Sequence, residues 1–108
     1  MIITITPSIL SISASGGRAT HKIRNNGVSR LAFKIKTSNN QHYKVRPVYG
    51  FIEPNTELPM EIVRSEAPPK EDRLVLQFAE IPPEETNPQA PFQAAAIQGE
   101  VIMVLSAV

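Results

Sequence analysis

Residues 30–54, RLAFKIKTSNNQHYKVRPVYGFIEP, decide how this chain is read. Leu31, Phe33 and Ile35 alternate with Ala32, Lys34 and Lys36, the period of a strand with one buried face and one lysine-bearing face. The polar run Thr37-Ser38-Asn39-Asn40-Gln41 ends that strand. A second extended piece, Tyr43 to Val48, carries Lys44 and Arg46 around the turn residue Pro47, and a short piece follows at 50–53. No acidic residue interrupts the basic series from Arg18 to Tyr49. A β-domain with its positive charge gathered in one region is suited to meeting an acidic partner.

The same alternation extends in both directions. Ile3 and Ile5, then Leu10 and Ile12, predict a first strand broken at Pro7, where it bends or switches sheets. Ser15-Gly16-Gly17 predicts a hairpin turn, Thr20 to Arg24 a strand around Ile23, and Asn25-Asn26-Gly27 a strong turn. Leu58, Met60 and Ile62 mark a further strand, and Leu74, Leu76 and Phe78 another. Ile81 to Gln93 is acidic and proline-rich, with a turn of helix expected around Pro91–Ala96. Glu100 to Val108 is nearly all apolar and is expected to be a central strand buried on both faces. About seven short strands with regular turn signals describe an all-β, seven-stranded immunoglobulin-like β-sandwich, one domain over residues 1–108. Leu31, Phe33, Ile35, Leu74, Leu76, Phe78, Met60, Ile62 and Ile23 are expected to share its core.

Ten prolines, no tryptophan and 6% aromatics fit an aliphatic β-core with proline-set turns. A net charge of +1 conceals an asymmetry: residues 1–52 hold eight Lys or Arg and no acid, and residues 53–108 hold three against ten acids. These charges either pair across the fold or leave a polar surface that favours association. The absence of cysteine excludes disulfides and thiolate chemistry and points to a reducing, cytoplasmic setting. The alternating N-terminus reads as strand rather than signal peptide, and no apolar run is long enough to insert in a membrane.

Catalytic, cofactor and metal constellations are not found. His21 and His42 are isolated and are expected at the surface. Glu84-Glu85 are adjacent in a proline-rich loop and point apart. Gly16-Gly17 leads into Arg18-Ala19, not into a phosphate-cradling Gly-Lys-Ser/Thr, and no serine sits in a nucleophile elbow. The basic region lacks the alternating aromatics of a nucleic-acid platform, so no nucleic acid is expected. Pro88-Gln-Ala-Pro91 is a weak ligand for proline-reading domains, with acids nearby and no flanking arginine. The chain reads as non-enzymatic.

Phe33-Lys-Ile-Lys-Thr-Ser, Tyr43-Lys-Val-Arg-Pro and Gly50-Phe-Ile-Glu-Pro together resemble the major sperm protein (MSP) domain family. The resemblance extends to Thr20-His-Lys-Ile-Arg-Asn upstream and Pro69-Lys-Glu-Asp-Arg-Leu-Val-Leu-Gln-Phe downstream. It implies an MSP/PapD-like sandwich. The compact chain is most similar to the small single-domain nematode sperm-specific proteins, the class P group, and is related to VAP receptor domains without their coiled coil and membrane helix. The resemblance implies a sperm cytoplasmic protein associated with the MSP-based motility cytoskeleton, whose partner is itself, as a homodimer, or another MSP-domain protein. The alternative it implies is a VAP-like adapter for acidic, phenylalanine-containing peptides. Carried over, Lys34, Lys36, Thr37, Ser38 and Arg46 match the basic peptide-binding face, the two hydroxyls being expected to bond the peptide backbone or a phosphate. Arg73 stands where the family has lysine, and Val75 where it has a pocket-lining methionine.

Overall fold

The computed structural model describes residues 2–108. Nine strands form: β1 (Ile3–Thr6), β2 (Ile9–Ile12), β3 (Gly17–Asn25), β4 (Leu31–Thr37), β5 (Tyr43–Arg46), β6 (Tyr49–Ile52), β7 (Glu57–Arg64), β8 (Lys70–Glu80) and β9 (Gly99–Ala107). A single helical turn, α1 (Ala90–Gln93), has a proline in its first turn. The strands make two layers, a four-stranded sheet β1-β3-β7-β5 and a five-stranded sheet β2-β9-β8-β4-β6. The all-β sandwich is as expected. Its strand count exceeds seven because the first predicted strand divides at Pro7 into β1 and β2, and because the short piece after Pro47 pairs fully with β4 as β6.

Both divisions follow from the pleat. Ile3 and Ile5 are buried at odd positions, Leu10 and Ile12 at even ones. A continuous strand would send one pair outward; crossing to the facing sheet reverses the inward direction and buries both. Proline lacks the amide hydrogen that would continue the ladder, so Pro7 is a natural crossover. Pro47 repeats the device between Tyr43 of β5 and Ile52 of β6, both buried. The Gly16-Gly17 turn is not a hairpin: it carries the chain from β2 to β3 in the opposite sheet, as Asn25-Asn26-Gly27 does from β3 to β4. β2 runs parallel to β9, whereas the other pairings are antiparallel.

All nine expected core residues are buried in one cluster between the sheets. Phe33 and Phe78 face each other across β4 and β8, and each ring lies over a glycine on the next strand. A Cβ at Gly50 would sit 2.7 Å from Phe33 Cζ, and one at Gly99 would sit 2.5 Å from Phe78 Cζ. Each glycine makes room for a ring.

Two expectations need correction. β9 is hydrogen-bonded on both edges, by β2 and β8, but one face alone enters the core, with Met103, Leu105 and Ala107 buried and Val101 packed against them partly exposed. Its other face is open, with Ile102 58% exposed, because no layer covers this part of the sheet. His21 is not a surface residue: it is buried, and its Nδ1 donates to the Pro7 carbonyl oxygen at 2.7 Å. The imidazole thereby fastens the first crossover to β3. His42 is half-buried, with Nδ1 3.2 Å from Ser65 Oγ.

Candidate functional site

Alternation along β4 aims Lys34 and Lys36 outward from the five-stranded sheet. Across the ladder, Lys36 is opposite Val75, and Val75 is opposite Ile102. One outward step along β8, Arg73 is opposite Val104, which is opposite Ile9 of β2. The outer face thus carries an apolar band, Val75, Ile102, Val104 and Ile9, with Lys36 and Arg73 beside it. Ile9 is 61% exposed and heads an edge strand.

The other end of this face is closed. Ala32, Gln77 and Ala79 point outward yet are buried, and the β8–β9 connection passes on this side with Phe92 packed 5.9 Å from the Tyr49 ring. Arg30 fastens that connection. Its guanidinium lies 3.9 Å from the Phe51 ring centroid, while Nη1 donates to the carbonyl oxygens of Pro83 and Glu85 and Nε to Glu53.

Below the lysines a groove of about 340 Å³ opens between β4 and β5, walled by Lys34, Lys36, Thr37, Asn40, Val45 and Val48. Tyr43 also lines it, and the hydroxyl of this buried residue has no hydrogen-bond partner. Of the residues expected to form one face, Lys34, Lys36, Arg73 and Val75 are brought together, and Thr37 lies at the groove's rim. Arg46 is not with them. It projects from the outer face of the four-stranded sheet opposite Glu61, because the chain crosses between sheets only after it, at Pro47.

Both hydroxyls are already bonded within the chain. Thr37 Oγ1 donates to Asn40 Oδ1 at 2.9 Å. Ser38 Oγ donates to Asp72 Oδ1 at 3.0 Å and accepts from the Arg73 amide at 3.0 Å, so it is committed to holding the loop. Sequence reasoning did not find Val45, Val48 and Tyr43 in the groove or Ile9 and Ile102 in the band. The signal for the band was present, since Ile102 and Val104 are apolar at the positions that alternate with the core.

Charge pairing removes much of the basic series. Arg18 lies 3.4 Å from Glu61, Lys22 and Arg24 reach Glu57, and Arg30 reaches Glu53 at 2.8 Å. Exposed pairs of this kind add little stability, and they offset part of the charge on the four-stranded side. There Lys44 and Arg46 stay outside ion-pair distance of an acid among the described residues. Among the described residues, Lys34, Lys36 and Arg73 have no acid within ion-pair distance, so unspent positive charge remains beside the apolar band. No group of His, Asp and Glu able to hold a metal occurs among the described residues, and no helix is long and apolar enough to cross a membrane.

Asp72 organises the loop behind this face. Burial by itself pushes its carboxyl up, but hydrogen bonds from Asn39 and Ser38, with the Lys70 ammonium at 3.4 Å, outweigh burial and hold it below the ordinary aspartate value. A carboxyl depressed in the folded state stabilises the fold fully above the unfolded value and loses that effect as pH falls through the folded one. Asp72→Asn should cost about 1–3 kcal/mol at neutral pH. The cost should shrink below about pH 4, as urea midpoints measured across that range will show.

Two sheets joined by edge crossovers, one of them exposing a basic, partly apolar face, define an immunoglobulin-like β-sandwich. The comparisons name the family: residues 2–101 match the MSP (Major sperm protein) domain, and the chain belongs to that family. It is 51% identical over 104 residues to Sperm-specific class P protein 32 of Caenorhabditis elegans, covering 96% of this chain and 97% of the relative. The solved structure of WR4, a C. elegans MSP family member, is similar at 50% identity and a TM-score of 0.96, covering 99% of this chain and 98% of the other. The PapD-like domain 7 of human CEP192 shares the fold at a TM-score of 0.63 and 5% identity, over 99% of this chain and 85% of that one. The MSP/PapD-like architecture is therefore established.

Proposed function

We propose that this chain is a non-enzymatic protein-interaction module of nematode sperm cytoplasm, associated with the MSP-based motility cytoskeleton through contact with itself or other MSP-domain proteins. Its membership in the MSP family and the names of its relatives, called sperm-specific, support the setting. The observation that carries the interaction is the uncovered band of Ile9, Val75, Ile102 and Val104 next to an open sheet edge. Exposed apolar area beside unpaired backbone groups favours association with a second sheet. A second copy meeting the same band across a two-fold axis would bury both.

Sedimentation velocity over a concentration series tests this. A concentration-dependent dimer or larger species is expected, lost in an Ile9→Lys, Ile102→Lys variant. A wild-type chain that stays strictly monomeric at high micromolar concentration, alone and mixed with a filament-forming MSP, would overturn the proposal.

The groove beneath Lys34 and Lys36 favours a second reading, an adapter for acidic, phenylalanine-containing peptides. Val45 and Val48 give it apolar wall, and the two lysines stand above. Cations at the rim would steer an acidic segment, with affinity falling as salt rises. Titration of such a peptide should show micromolar-range binding that collapses in a Lys36→Glu, Arg73→Glu variant. Absence of binding at low salt removes this reading and leaves the first untouched.

A further inference from the structure

The outer face of the four-stranded sheet carries more positive charge than its ion pairs use. β3 and β5 send five cations outward there, and β7 answers with two carboxylates, Glu57 and Glu61. Glu57 takes Lys22 and Arg24, and Glu61 takes Arg18. Lys44 and Arg46, exposed on the edge strand β5, are left over. Across the ladder Arg18 and Lys44 flank half-buried Val63, and with Arg46 and Glu61 they line a hollow of about 210 Å³. A broader hollow of about 580 Å³ shares Arg46 and Glu61 and adds Pro47 and Pro59. The surface thus sets apolar side chains beside three cations and one carboxylate that is already paired. Cations on an edge strand repel a basic neighbour, so this surface suits an acidic one.

The same chain carries a matching projection. Residues 80–85 hold Glu80, Glu84 and Glu85 around Pro82-Pro83. Pro82 to Glu85 closes as a turn, the Glu85 amide donating to the Pro82 carbonyl oxygen at 3.1 Å, and Arg30 holds the carbonyl oxygens of Pro83 and Glu85. Glu80, Pro82, Pro83 and Glu84 stay exposed, and neither of these glutamates has a cation within ion-pair distance among the described residues. A turn fixed in this way loses little conformational freedom on docking. We propose that the Pro82–Glu85 turn of one copy docks in the Val63 hollow of a second, where Glu80 and Glu84 meet Lys44 and Arg46 and the prolines meet Val63, Pro47 and Pro59. One copy cannot do this to itself, because its turn is fastened on the outer side of the five-stranded sheet and both layers stand between turn and hollow. The contact is head-to-tail: it leaves a turn free at one end and a hollow at the other, so it can repeat. It is separate from the apolar band, which pairs like with like on the opposite layer.

Sedimentation velocity at two ionic strengths reads the two contacts apart. The Debye length falls from about 30 Å at ~10 mM salt to about 8 Å at ~0.15 M. Species larger than a dimer are expected at the lower salt and should shrink back at the higher. Lys44→Glu, Arg46→Glu reverses the hollow, and Glu80→Lys, Glu84→Lys reverses the turn, all at exposed positions. Each double variant alone should weaken low-salt association at least about tenfold. Mixing the two should restore it, because each then meets a partner of opposite charge; a fold damaged by substitution would not recover. In the Ile9→Lys, Ile102→Lys chain, monomeric at the higher salt, the low-salt contact should persist, so failure of the band and failure of this contact are distinguishable. Low-salt association that is absent, that ignores both reversals, or that mixing fails to restore overturns the proposal. Loss in the Lys44, Arg46 variant alone would place a different acidic segment in the hollow and overturns it too.

Discussion

Phe33→Ala is expected to lower the stability of this domain by about 3–5 kcal/mol. The ring is fully buried, faces Phe78 on β8, and fills the space that Gly50 leaves on β6. Truncation removes the ring's transfer free energy and opens a cavity that glycine cannot line. Because a domain of this size has about 5–15 kcal/mol in hand, the variant should unfold many degrees earlier by circular dichroism. A second substitution makes the reading specific. Gly50→Ala should be destabilising in the wild type, where its Cβ meets the ring, and much milder in Phe33→Ala, where the clash is gone. An unchanged melting temperature in Phe33→Ala would place the ring outside and overturn the register of β4.

Asn25→Ala is the second large effect, expected to cost about 3 kcal/mol. Asn25 ends β3 with no exposure at all. Its Nδ2 donates to the carbonyl oxygens of Ser29 at 2.8 Å and Ile52 at 3.1 Å, and its Oδ1 accepts the Gly27 amide at 2.9 Å. One side chain thus ties the end of the four-stranded sheet to the end of β6 in the other. Alanine removes the partner of two carbonyls and an amide, of which the bond to the Ile52 carbonyl is fully buried and the other two part-buried. Asn25→Asp should be no rescue, since it sets a carboxylate against two carbonyl oxygens. Urea unfolding measures the cost, and faster amide exchange at Gly27 would localise it; a loss under about 1 kcal/mol would mean that the bonds are replaced.

Period-2 alternation placed the core because each strand obeys it locally. Leu31, Phe33 and Ile35 needed only their neighbours to be read. The sheet crossing at Pro7 was also legible, since the buried phase changes from Ile3 and Ile5 to Leu10 and Ile12. The same phase change at Pro47 was the clue that Arg46 leaves the company of Lys34 and Lys36, and reading the basic run as one face overlooked it. What remained hidden depends on residues far apart in the chain. His21 is buried because Pro7 supplies a carbonyl, and Asp72 because Ser38 and Asn39 surround it. Arg64, on a strand edge in sequence, is drawn inward by the pleat over Tyr43. Half of the candidate face was visible as lysines at alternating positions. The groove beneath them was not, since it exists only where the two layers part.

The strict alternation of the chain between layers has a kinetic consequence. From β1 to β8 every successive strand lies in the opposite sheet, and only β8 and β9 are both consecutive and paired. Without a local hairpin, almost no ladder can close before distant segments have met, and each encounter carries the entropy of a closed loop. Acquisition of the native state should therefore fall in the millisecond-to-second range of high-contact-order β proteins. Neither layer can exist as a separable fragment, since cutting the chain at any crossover strips a strand from both. The molecule should open as a single unit, with its innermost amides exchanging only when everything comes apart.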